Sequence, residues 1–132
     1  MINELSKEIH ENNKSKGFYD DEKNIGEMLC LIHSEVSEAL ECDRNGKYAQ
    51  IDSPEFIVDQ NTIRQDLDLC SNTLTWESEF KSQIKDTFED ELADIMIRCM
   101  DLAAHKGIDI EWHIKAKMKY NSMRPHKHGK KY

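Results

Sequence analysis

Apolar residues recur along most of this chain at helical spacing, and almost nowhere in the strict alternation of a half-buried strand. Leu5 and Ile9 mark a first helix over residues 3 to 14, with Asn3 as its cap and Gly17 beyond its end. Ile25, Met28, Leu29, Ile32, Val36, Ala39 and Leu40 predict a long helix from Glu22 to Arg44, entered through Asp20-Asp21 and stopped by Gly46. A third helix is expected from Trp76 to His105, carried by Phe80, Ile84, Phe88, Ile95, Cys99 and Leu102 and ended at Gly107. A fourth, capped by Asp109, runs from Ile110 to about Met123. Between the second and third, Ser53 and Pro54 open a short helix to about Ile63, and Asp66 to Thr75 reads as a loop; residues 47 to 75 are thus a variable insertion.

The expected fold class is all-α, a single helical bundle domain over residues 1 to 132 with a basic tail from 125. Composition agrees, since 5 Gly and 2 Pro in 132 residues are too few for the turns of a small all-β domain. The net charge of -8 argues against nucleic acid as a general partner. The charge is uneven, however: residues 115 to 131 hold 7 of the 18 basic residues and no acid. No uncharged run approaches a membrane span, and no signal-peptide core opens the chain. Cys30, Cys42, Cys70 and Cys99 form no C-x-x-C pair, and Cys30 and Cys99 read as buried free thiols, so a reduced, cytoplasmic protein is expected.

The chemistry lies in two acid steps set in the long helices, Glu35-Val36-Ser37-Glu38 and Glu91-Leu92-Ala93-Asp94. Spacing alone is a weak signal, because random placement of this many acids gives roughly five pairs at i, i+3. Context is stronger. Glu91 falls inside its apolar stripe, one turn from Phe88 and Ile95, and an ionised carboxylate in a packing face needs a partner. Three explanations stand side by side: a salt bridge to a base such as Arg98, a hydrogen-bonded structural acid, or a metal shell completed by Glu35, Glu38 and Asp94. An all-oxygen set suits Mg2+ or Mn2+ rather than zinc or copper. Di-iron bundles use Glu-x-x-His steps, and none of the six histidines has a Glu three residues before it.

At these residues the chain resembles the MazG-like branch of the all-α nucleoside triphosphate pyrophosphohydrolases, whose hallmark is Glu-x-x-Glu on one helix and Glu-x-x-Asp on the next. The flanking Leu31-Ile32-His33-Ser34 and Lys85-Asp86-Thr87-Phe88-Glu89-Asp90 agree, and Lys117-Met118-Lys119-Tyr120-Asn121-Ser122-Met123-Arg124-Pro125, followed by His128-Gly129-Lys130-Lys131, looks like the family's C-terminal motif. Two departures stand out. The 52 residues between Glu38 and Glu91 are more than is usual, and Ser34 occupies a place where many members carry another Glu.

The resemblance implies Mg2+-dependent hydrolysis, with Mn2+ as a substitute, of a (d)NTP to a nucleoside monophosphate and pyrophosphate, a nucleotide-pool clean-up activity. The metal would be held by Glu35, Glu38, Glu91 and Asp94, and Glu35 or Glu38 would orient the attacking water. Lys117, Asn121 and Arg124 are candidate phosphate, sugar or base contacts, and Tyr120 a candidate stacking residue. Trp112 is expected in the core. The two carboxylate helices are expected antiparallel, and the second apolar flank they leave open implies a homodimer or homotetramer. A different class of function remains beside this one, a non-catalytic helical binding or regulatory module that uses the basic C-terminal tail.

Overall fold

The computed structural model describes residues 1–51 and 74–125, leaving out the side chains of Leu74, Thr75, Trp76 and Glu79. The short helix expected from Ser53, the loop from Asp66 and the tail beyond Pro125 lie outside the described residues. Among the described residues, the chain is all-helical: α1 (Ile2–Ser15), α2 (Ile25–Arg44), α3 (Leu74–Gln83), α4 (Phe88–His105) and α5 (Ile110–Ser122). No helix among the described residues is long and apolar enough to cross a membrane.

Two compact units divide the chain, Met1–Leu29 with Met96–Tyr132, and Cys30–Ile95. In the first, Asn3 does not cap its own helix. Its amide instead donates to Asp109 Oδ1 at 2.7 Å, and its Oδ1 accepts the Glu111 backbone N–H at 3.1 Å, so it secures the start of α5. Asp109 caps α5 as expected, accepting the N–H of Trp112 at 2.9 Å. Farther along α1, His10 Nδ1 lies 2.7 Å from Asp101 Oδ1, and Asn13 donates to Asp101 Oδ2 at 2.8 Å, so both oxygens of this buried carboxylate are engaged. Tyr19 packs edge-on to His10, with ring centroids 4.6 Å apart. Trp112 is 59% exposed and is not a core residue, because α5 buries none of its side chains.

The α2 helix starts at the first residue of its apolar pattern, Ile25, and not at Glu22, since Asn24, rather than Asp20 or Asp21, accepts the N–H groups of Gly26 and Glu27 at 2.8 and 3.3 Å. It ends as expected. Gly46 adopts φ 65, and the N–H groups of Gly46 and Lys47 turn back to the carbonyls of Asp43 and Cys42, which satisfies the last turn.

In the second unit the expected single helix from Trp76 to His105 is two helices. The chain breaks over residues 84–87, where Asp86 stands at φ 58 and the α3 helix has already ended at Gln83. Thr87 restarts it: its Oγ1 accepts the Asp90 N–H at 3.4 Å while Asp90 Oδ2 accepts the Asp86 N–H at 3.0 Å. This reciprocal pair satisfies donors that a helix start would otherwise leave open.

Burial also departs from the apolar pattern. On α2 Ala39 is buried as its spacing predicts, but Glu35 and Cys42 are buried with it, whereas Val36 and Leu40 of the same stripe, like Leu31 beside it, are each 48% exposed. Cys30 and Cys99 are exposed, and Cys42 is the buried thiol among the described residues. Among the described residues the buried apolar ones are Ala39, Cys42 and Ala103, all small.

Candidate metal centre

The second unit brings the two acid steps together through a short strap after α2. The Lys47 carbonyl accepts the Phe88 N–H at 2.9 Å, Ala49 donates to Glu89 Oε2 at 2.8 Å, and Gln50 donates to the Gln83 carbonyl at 3.0 Å. Beneath it the Cys42 thiol donates to the Asp86 carbonyl at 3.5 Å. These bonds tie the end of α2 to the restart of α4. One carboxylate oxygen from each of Glu35, Glu38 and Glu91 then lies within 4.8 Å of the others.

Glu35 and Glu91 are buried, at 6% and 5% exposure, and Glu38 opens to solvent. Burial pushes the Glu91 carboxyl up to about 7, with the negative charge of Glu38 adding to it and a hydrogen bond with Glu35 favouring the protonated form. Its Oε2 atom is buried with no hydrogen-bond partner. The hydrogen bond with Glu35 engages the carboxyl group but leaves this oxygen without a partner.

A hard divalent cation fits this donor set: three carboxylate oxygens lie within 4.8 Å of one another, the all-oxygen chemistry suits Mg2+, and the orphaned Glu91 oxygen is a ligand atom without another use. Asp94, the fourth expected ligand, is half-buried, has interactions of its own and stands in neither acid group found among the described residues.

A second group was not anticipated from the sequence. Asp86, Asp90 and Glu91 also bring oxygens within 4.8 Å of one another. The signal that marks it is Thr87-Phe88-Glu89-Asp90, a helix-start pattern that ends one residue before Glu91.

Lys117, Tyr120, Asn121 and Arg124 belong to the first unit and form a local group on and just after α5. The Lys117 ammonium lies 5.3 Å and the Arg124 guanidinium 5.8 Å from the Tyr120 ring centroid, so both cations pack against one exposed aromatic ring. Asn121 Oδ1 is buried without a hydrogen-bond partner. No family model, curated protein or solved structure matches the chain. The likeness to the all-α pyrophosphohydrolases therefore rests on the residues of its motifs.

Proposed function

We propose that the protein is a Mg2+-dependent nucleoside triphosphate pyrophosphohydrolase, with Glu35, Glu38 and Glu91 as the metal-holding carboxylates and Asp94 as their fourth member. The observation that carries this reading is the buried, unpartnered Oε2 of Glu91 beside two further carboxylates. When bound, Mg2+ or Mn2+ would supply charge neutralisation to the triphosphate and Lewis acidity at phosphorus.

Glu38 is the exposed member and Glu35 the buried one, so Glu38 meets a water arriving from solvent and accepts its proton, while Glu35 and Glu91 would hold the metal from the buried side. The water oxygen bonds to the α-phosphorus, the bond from that phosphorus to the α,β-bridging oxygen breaks, and the bridging oxygen leaves with the electron pair as pyrophosphate. A nucleoside monophosphate remains. Within the first unit, Lys117 and Arg124 carry positive charge of the kind that binds phosphate, and Tyr120 between them is a ring of the kind on which a base stacks. Asn121, in the same unit, has a buried acceptor oxygen that no protein group uses.

The half-exposed Leu31, Val36 and Leu40 on α2 support self-association, as a homodimer or homotetramer in which the carboxylate helices run antiparallel. With its acidic balance and unpaired thiols we place it in the cytoplasm, acting on free nucleotides rather than nucleic acid. Release of pyrophosphate and monophosphate, followed across the common and modified (d)NTPs with Mg2+ and with Mn2+, tests the activity. Turnover of at least one is expected; none with either ion overturns it and leaves the binding-module reading. Sedimentation as a strict monomer would count against the oligomer.

A further inference from the structure

Glu91 is shared between two acid groups, and the second of them holds a cation supplied by the chain. Lys85 donates from Nζ to both carboxylate oxygens of Asp86, at 3.0 and 2.9 Å. Asp86 in turn stands with Asp90 and Glu91 in one group whose oxygens lie within 4.8 Å. The bond to Asp86 raises the Lys85 pKa most, and the charges of Asp90 and Glu91 add to it.

The turn holds this arrangement in place. Asp86 occupies a left-handed backbone conformation, its N–H is bound to Asp90 Oδ2, and its carbonyl accepts the buried Cys42 thiol. The Asp86 backbone is therefore held at the entry to α4, with the Lys85 ammonium on its exposed carboxylate.

Two-metal centres place two divalent ions about 4 Å apart with charged ligands between them. Here Glu91 has the bridging position, with Glu35 and Glu38 in one group and Asp86 and Asp90 in the other. From this juxtaposition we propose that Lys85 takes the place of a second metal ion, so that the centre binds one divalent cation per chain and the ammonium serves as the second positive charge for the nucleotide phosphates. The inference rests on the metal reading above for the first ion. An ammonium has three donors, and two are spent on Asp86, which leaves one for a phosphate oxygen. The Lys85 side chain is 51% exposed, so a ligand can reach it.

Mn2+ titration of the chelator-stripped full chain, followed by electron paramagnetic resonance, counts the ions without requiring turnover. The unaltered protein is expected to bind one Mn2+ per chain with the spectrum of an isolated ion. K85A should bind two, with the spin coupling of ions that share a carboxylate, and K85R should return to one. Two coupled ions in the unaltered protein, or one in K85A, overturns the proposal. No Mn2+ in the unaltered protein overturns the metal reading instead, and Lys85 is then judged by whether K85A gains a site. In steady-state kinetics K85A should raise KM for the nucleotide about tenfold with a smaller change in kcat, and K85R should recover most of it. An unchanged KM removes the phosphate contact.

Discussion

Helix α4 carries two buried carboxylates that live in opposite circumstances. Asp101, in the first unit, has one oxygen against His10 and the other against the Asn13 amide. Glu91, in the second, is more deeply buried, faces the acids Glu35 and Glu38, and keeps one oxygen without a partner. Burial of a carboxylate is therefore not what marks a functional acid in this chain. The mark is a failure of local compensation, because a structural acid selected only for stability acquires donors as Asp101 has. Glu91 is surrounded by groups that worsen its ionisation, an arrangement that makes sense when a cation is to be held there.

Removing each charge while keeping its shape should give opposite results, and the largest effect is on turnover. Glu91→Gln is expected to lower kcat by about a thousandfold or more and to weaken Mn2+ binding. In the absence of metal the same variant should be more stable than the parent above pH 7, read as a higher midpoint in urea. Asp101→Asn should do the reverse. It leaves an amide donor against His10 or Asn13, at a cost of about 2 kcal/mol, with the loss the same with or without Mn2+. If Asp101→Asn abolishes Mn2+ binding while Glu91→Gln only lowers stability, the roles of the two acids are exchanged and the metal reading fails.

The pH dependence sharpens the same contrast. Glu91 holds its proton to about pH 7 in the folded chain, whereas an unfolded glutamate releases it near 4.5. Between those values the folded state binds the extra proton, so the stability of the metal-free protein falls as pH rises from about 4.5 and levels off above about 7. Urea midpoints of the parent minus those of Glu91→Gln, taken in chelator across this window, isolate the slope. Saturating Mg2+ should flatten it, because the cation then replaces the proton. A difference that is flat from pH 5 to 8 without metal would refute the crowding of Glu91 by its neighbours.

How far the sequence disclosed these two acids depended on what made each of them special. Glu91 was legible because helical spacing puts it between Phe88 and Ile95, and an acid inside an apolar stripe is visible one residue at a time. Asp101 was not, since its partners His10 and Asn13 stand some ninety residues earlier and polar pairing across that distance has no period. Periodicity also misled. The run Phe80, Ile84, Phe88, Glu91 keeps helical spacing straight through the break at residues 84–87, so the apolar pattern reports one helix where Asp86 and Thr87 make two. On α2 the pattern placed Val36, Ala39 and Leu40 inward, yet of these only the small Ala39 is buried, beside the acid Glu35 and Cys42. A face that must bring carboxylates together has room for small side chains beside them, and the larger aliphatic ones are displaced to the flank.

The smallest effect tests whether the helix break serves the acids or only ends a helix. Thr87→Ala removes the hydroxyl that accepts the Asp90 N–H, and Asn24→Ala removes the corresponding cap at the start of α2. Each should cost about 1 kcal/mol, and the Thr87 change somewhat less because its bond is the longer. Their consequences for metal should differ. Thr87 lies four residues before Glu91, and fraying the first turn of α4 releases Asp90 and loosens the Glu91 backbone, whose N–H is bonded to the Thr87 carbonyl at 3.0 Å. Asn24 precedes Glu35 by three helical turns, too far for a frayed end to reach it. Mn2+ affinity should therefore drop several-fold in Thr87→Ala and stay unchanged in Asn24→Ala at equal loss of stability. Equal affinities in the two variants would mean that the restart at Thr87 is a local helix cap and that the positions of Asp90 and Glu91 are set by the strap alone.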